Sequence, residues 1–240
     1  MRTKESIITR QLLKTKPGEF QAAHDALDTI DKITPLLLIQ CCCHNDLFHE
    51  NLILEKETHH LYIIDWKTSG TNDPFFDLAY ICLFHKLTPE QEIALLTAYF
   101  GHAPNPDAVQ KLLLVNILVS MQCAVTQFSR IENLDEILPD TLEMPFTYAN
   151  CPEELNKDDR NSDNLNYFFF KLLLNTALQK INSPNYQEAF DATSRFNQAQ
   201  TQKDSATKTQ RAYRAMIEAR QPQGAVKPQE NPDPKHPIKK

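Results

Sequence analysis

Apolar positions recur at intervals of three and four over "FQAAHDALDTIDKI", placing Phe20, Ala23, Leu27 and Ile30 on one helix face. Residues 4–33 therefore read as mainly helical, with Pro35 ending the helix. The pattern then shortens. "LLLIQCCC" is a compact apolar run that reads as a buried strand, and "NLILE" and "LYIID" are two further strands separated by the polar "KETHH". Beyond residue 70 helical spacing returns, with legible starts. Asp73 is an N-cap candidate with Pro74 at the first helical position; Thr88, Pro89 and Gln91 resemble a capping box, and Gly101 closes that helix. "NPDAVQKLLLVNILVSMQCAVTQFSRI" repeats the Asn-Pro start and is apolar nearly all round, which predicts a buried central helix. Residues 134–163 read as irregular and "NLNYFFFKLLLNTALQKI" as another buried helix. From Ser183 the chain reads as helical but increasingly polar. The last twenty residues hold five prolines and little to bury, so they read as disordered.

Composition narrows the partners more than the fold. A chain of 240 residues with 41% hydrophobic and 23% charged residues has room for one substantial core or two small ones. The formal charge of -6 argues against nucleic acid and against an anionic membrane, and neither is expected as a partner. The N-terminus lacks the apolar run of a signal peptide, and "ITPLLLIQCCC" and "KLLLVNILVSMQCAV" are too short or too interrupted to span a bilayer, so a cytoplasmic location is expected. Six cysteines without framework spacing fit a reducing compartment. The four glycines, Gly18, Gly70, Gly101 and Gly224, lie too far apart for a P-loop or a dinucleotide fingerprint.

The chemistry concentrates in "CCCHNDLFHENLILEKETHHLYIIDW". If the two strands form a hairpin around "KETHH", Leu52 faces Ile64, Ile53 faces Ile63 and Asn51 faces Asp65, and facing side chains are about 5 Å apart. An amide oxygen and a carboxylate at one end of a hairpin can clamp a hard divalent cation such as Mg²⁺. Asp46, five residues before Asn51, can orient a substrate hydroxyl and accept its proton as a phosphoryl group arrives. The D-x-x-x-x-N spacing is that of the protein-kinase catalytic loop. The soft ligands are less informative. Cys41, Cys42 and Cys43 alternate faces in a strand and cannot all ligate one ion, so they read as small buried hydrophobes. His59 and His60 read as a solvated turn and His49 as a loop filler.

"HNDLFHENLILEKETHHLYIIDWKTSGTNDPFFDLAY" resembles the core of the choline kinase and aminoglycoside phosphotransferase superfamily. The shared signature is His-x-Asp with Asn five residues after the Asp, then Ile-Asp-Trp and Asp-Pro-x-x-Asp-Leu-Ala. The details resemble bacterial choline kinase-like proteins. The resemblance implies an α+β, mostly α-helical fold: the C-terminal lobe of a protein-kinase-like fold, with a short strand and β-hairpin carrying the catalytic loop. It makes Asp46 the catalytic base with His44 supporting the loop, Asn51 and Asp65 the Mg²⁺ ligands, and Asp77 a structural acceptor for backbone in the loop. ATP is the implied phosphoryl donor. Residues 1–200 would form the lobe, with a catalytic core at 36–86 and a helical subdomain at 87–200, followed by a polar tail at 201–240.

Two departures stand out: Lys67 follows the Asp-Trp pair where choline kinase-like members usually have Glu, and only 45 residues precede Asp46, so the family's N-terminal lobe is expected to be missing from this chain. The missing lobe would carry the nucleotide loop and the phosphate-contacting lysine. Two readings stay open. The chain is an ATP-dependent phosphotransferase acting on the hydroxyl of a small amino alcohol such as choline, or an inactive remnant or helical binding protein that retains the lobe. An uncovered hinge face predicts self-association or pairing with a separate N-lobe polypeptide. Tyr167, Phe168, Phe169 and Phe170 lie on a buried helix and read as core, not as walls for a quaternary ammonium.

Overall fold

The computed structural model describes residues 21–38, 41–133, 146–151 and 162–220. The expected helix before residue 21, most of the irregular stretch at 134–163 and the final twenty residues lie outside the described residues. The architecture is α+β and mostly helical. Two compact units divide it, residues 1–198 and residues 199–240, and everything below concerns the first.

Helix α1 (Gln21–Ile33) buries Leu27 and Ile33, and Pro35 turns its end into a short 3-10 turn over Thr34–Leu36. Among the described residues of the apolar run that follows, Cys41–Cys43 form a strand, β1, with Cys42 exposed. The N–H of Leu38 is taken by the Asp73 carboxylate at 2.8 Å rather than by a neighbouring strand. A strand that hydrophobic pattern did not announce, β4 (Gly70–Asn72), pairs antiparallel with β1 in the register Cys41↔Asn72, Cys42↔Thr71 and Cys43↔Gly70. "GTN" has no apolar alternation, so only its partner across the chain defines it as a strand.

Strands β2 (Leu52–Leu54) and β3 (Leu61–Ile63) form the expected hairpin, but its register is shifted by one. Leu52 faces Ile63 and Ile53 faces Tyr62, while the N–H of Ile64 donates to the carbonyl of Asn51 at 3.0 Å. Asn51 therefore faces Ile64, not Asp65. The turn decides this: Glu55 N–H donates to His60 O and His59 N–H to Glu55 O, both at 2.9 Å, with His59 in the left-handed region at φ 57°. Both faces of the hairpin carry apolar side chains, so burial pattern could not set the register, and loop geometry did.

The helices begin and end where their caps dictate. Helix α2 (Phe75–Phe84) follows Asp73-Pro74, and Asp73 Oδ1 accepts the N–H of Phe75 at 3.0 Å. In α3 (Pro89–Phe100) Thr88 and Gln91 form the reciprocal capping box, and Gly101 ends the helix at φ 71°, a conformation that costs glycine nothing. In α4 (Pro106–Ser129) Asn105 Oδ1 accepts the N–H of Ala108 at 2.7 Å. Helix α4 is long and apolar enough to cross a membrane, yet 78% of its apolar window is buried within the protein. It is the core helix, with α2 and α5 (Ser162–Ile181) against it and Leu112, Val115, Ile117, Met121 and Phe128 in the shared interior. The first unit also includes the start of α6 (Tyr186–Arg220), which buries Ala189, Ala192 and Phe196.

Candidate active site

The chain leaving β1 is held by a carboxylate from the first turn of α2. Asp77 Oδ2 accepts the N–H of His44 and Oδ1 the N–H of Asn45, each at 2.8 Å. Asn45 adopts φ 65°, a left-handed conformation that asparagine tolerates better than most residues, and its side chain supports the bend. Its Nδ2 donates to Thr68 O at 3.1 Å, and Asn72 Nδ2 donates to its Oδ1 at 2.9 Å. His44 is buried. Its Nε2 donates to Ile64 O at 2.8 Å, so the loop is tied to the end of β3, and its ring meets Trp66 edge-on at 4.8 Å between centroids. Nδ1 of His44 is buried without a hydrogen-bond partner among the described residues.

Asp46 follows this clamp. Its carbonyl accepts the N–H of Phe48 and the Nδ2 of Asn51, both at 2.8 Å, which folds the loop onto itself. Leu47 is buried and Phe48 stacks edge-on against Phe84 of α2 at 4.6 Å, so apolar contacts anchor the loop on either side of its polar backbone. A 3-10 turn over His49–Asn51 then leads into β2. The Asn51 amide nitrogen also reaches Asp46 Oδ2 at 3.5 Å, a weak contact that leaves this carboxylate largely uncommitted.

Asp65 lies on the other side of the hairpin, one residue past the partner of Asn51, with a left-handed backbone at φ 60° and ψ 58°. It is exposed, and Lys67 Nζ sits 2.8 Å from its Oδ2. The Lys67 ammonium, chiefly through this hydrogen bond, holds the Asp65 carboxyl below its ordinary range against a smaller opposing effect of desolvation. Asp65 in turn holds the Lys67 ammonium above its ordinary value, and Asp46 adds a smaller push in the same direction. Asp46, Asp65 and Lys67 thus share one electrostatic neighbourhood.

The donor set suits a hard cation of modest demands. Asn51 commits its nitrogen to Asp46 O and leaves its oxygen as the available ligand, while Asp65 is held ionised. Among the described residues no group of three or more His, Cys, Asp or Glu could hold a metal. One amide oxygen and one carboxylate fit an ion such as Mg²⁺, which completes its shell with water and phosphate oxygens. The group that competes for Asp65 is Lys67.

Sequence reasoning missed the strongest anchor of the region. Asp73, read as an N-cap, is fully buried; its Oδ2 accepts from Leu38 N–H and pairs with Lys111 Nζ at 2.7 Å. Lys111 is itself buried between the rings of Phe75 and Phe196, 4.7 and 5.2 Å from their centroids, and donates to Asn197 Oδ1 at 3.0 Å. Burial pulls the Lys111 ammonium below its ordinary value and Asp73 opposes that pull. This pair fixes the chain entering β1 to the chain leaving β4. The available signal was a single lysine inside the apolar "AVQKLLLVNILV" of a central helix, since a buried ammonium requires a partner.

Comparison with known proteins finds likenesses in the superfamily that the loop resembles. Residues 3–112 match the family model of the phosphotransferase enzyme family, APH. Protein LicA of Haemophilus influenzae is 46% identical over 57 residues, which are 24% of this chain and 21% of that protein. A Protein LicA homolog of Mycoplasma capricolum is 34% identical over 96 residues, 40% of this chain and 34% of that protein. The chain thus matches no more than about a third of the length of these curated relatives. A choline/ethanolamine kinase family protein from Mesorhizobium loti, solved by crystallography, superposes with a TM-score of 0.55 at 14% identity, over 81% of this chain and 58% of that one. At that identity the likeness speaks for the fold alone, and the fold is choline kinase-like.

Proposed function

We propose that this chain, which resembles the choline kinase and aminoglycoside phosphotransferase superfamily, carries the phosphoryl-transfer site of an ATP-dependent kinase for a small amino alcohol such as choline. The observation that carries the reading is the way Asp77 and His44 hold the loop: two carboxylate oxygens on adjacent backbone N–H groups, and an imidazole tied to the hairpin beside Asp65. A substrate hydroxyl is oriented by Asp46, which takes its proton as the oxygen attacks phosphorus. Asn51 keeps the Asp46 backbone in place and offers its oxygen, with Asp65, to Mg²⁺. The cation, when bound, neutralises charge on the donor phosphates. Lys67 releases Asp65 for this, or shares it.

The acceptor class rests on the name of the Mesorhizobium loti relative as a choline/ethanolamine kinase family protein. The nucleotide needs a cover, and the hairpin supports one: Ile53, Leu54, Leu61 and Tyr62 are apolar and about half exposed or more, a surface suited to a separate N-lobe polypeptide or a second copy of the chain.

The test incubates purified chain with ATP, Mg²⁺ and a panel of choline, ethanolamine and related alcohols, and follows phosphorus by NMR. A new phosphomonoester alongside ADP is expected, and it disappears in Asp46→Asn and Asp65→Asn while their melting curves stay near that of the parent. No product with any alcohol, together with no Asp65-dependent thermal shift on adding Mg²⁺ and ATP, overturns the reading in favour of a helical binding protein.

A further inference from the structure

The three cysteines before the loop divide by face. Cys41 and Cys43, two apart in β1, point to the same side with their sulfurs 3.5 Å apart, while Cys42 points to the other side and is exposed. Cys41 is half-buried and Cys43 buried. Two thiols this close on one strand face are separated by little more than the movement needed to bond.

We propose that Cys41 and Cys43 are a dithiol modification site, oxidised by a hydroperoxide to an intramolecular disulfide directly before the catalytic loop. Cys41, the more accessible thiol, attacks the peroxide: its sulfur is oxidised to a sulfenic acid, the O–O bond breaks and water leaves. The Cys43 sulfur then displaces hydroxide from that sulfenic sulfur; the S–S bond forms and a second water carries away the remaining thiol proton. Two thiols and one hydrogen peroxide become one disulfide and two waters. The order follows from the surroundings. Burial, then the contact with Cys41 and the charges of Asp77 and Asp73, keep the Cys43 thiol protonated, so it acts second.

The bond strains its strand. Alternate residues of an extended strand have Cα atoms about 6.6 Å apart, near the upper end of the span a disulfide tolerates, about 4.4–6.8 Å. Closing the bridge contracts β1 against its ladder with β4 and pulls on His44, the next residue. Such a strained bond is readily reduced by thiols, which makes the modification reversible. Trp66 is the single tryptophan of the chain and meets the His44 ring, so its fluorescence reports the pull.

The experiment uses the full chain with Cys42→Ser, which removes the exposed neighbour. After hydrogen peroxide and alkylation in denaturant, intact mass is expected to show the loss of two hydrogens without dimer. Two alkylation sites are lost, Trp66 emission changes, and dithiothreitol restores both. The further replacement Cys41→Ser, or Cys43→Ser in its place, removes the effect; differential alkylation reads this even where a variant is destabilised. The proposal is overturned if Cys42→Ser stays fully reduced, gains oxygen without losing two hydrogens, or still loses two hydrogens when Cys41 is also replaced. None of these outcomes depends on kinase activity.

Discussion

The loop at His44–Asp46 and the hairpin leading to Asp65 carry the two halves of one candidate site, and they are supported in opposite ways. The loop rests on buried or partly buried carboxylates: Asp77 takes two backbone N–H groups, and Asp73, paired with Lys111, fixes the chain on both sides of the β1–β4 ladder. The hairpin rests on a short ladder, its apolar side chains are exposed, and Asp65 is held by an ion pair in water. Charge-assisted bonds removed from solvent define geometry and are costly to break, whereas an exposed pair contributes little. The proposed base is therefore preorganised by the fold, and the proposed metal side is left adjustable.

This contrast is open to test. The largest effect is expected at Lys111→Met, which leaves Asp73 charged and buried without its cation; about 3–5 kcal/mol of stability should be lost in urea unfolding. The double variant with Asp73→Asn should recover part of that loss. Next comes Asp77→Asn, which removes the charge from the side chain that accepts the N–H groups of His44 and Asn45 and replaces one accepting oxygen with an amide nitrogen; about 1.5–3 kcal/mol should be lost, with a larger fall in turnover than the melting temperature explains. An intact loop after that change would break the comparison.

On the hairpin, Leu54→Thr with Leu61→Thr should alter stability by no more than about 0.5 kcal/mol for each exposed site. It should also reduce self-association in sizing experiments. The smallest effect is expected at Lys67→Ala. Asp65 has a lowered pKa, so its share of the pair is complete above its ordinary value of 3.8 and lost as pH falls through the lowered one. Lys67 has a raised pKa, so its share is complete below 10.5 and lost as pH rises through the raised one. The melting difference between Lys67→Ala and the parent should be small, confined to that window, and removed by salt. A large difference that survives high salt would place Lys67 with the buried half.

Much of the helical framework was legible because its signals are local. Thr88 and Gln91, Asn105 and Gly101 act within a turn of their own helices, and the capping box, the Asn cap and the glycine stop all lie where the sequence put them. The apolar run around Leu112–Val125 is buried because helix period and composition leave it no solvent face. The hairpin was legible in kind but not in register: residues apolar on both faces accept either alignment, and the turn over Glu55–His60 chose between them.

The sequence by itself determined the order Asp46, Asn51, Asp65, the resemblance that order carries, and the helices that enclose the core. Tertiary structure decided that β4 exists, that Asn51 faces Ile64, that Asp73 is half of a buried ion pair with Lys111, and that Cys41 and Cys43 face one another at 3.5 Å. The reason is range. Caps and helix faces are set by residues within about four positions of one another, whereas a buried charge or a polar strand is defined by partners tens of residues away that no local pattern names.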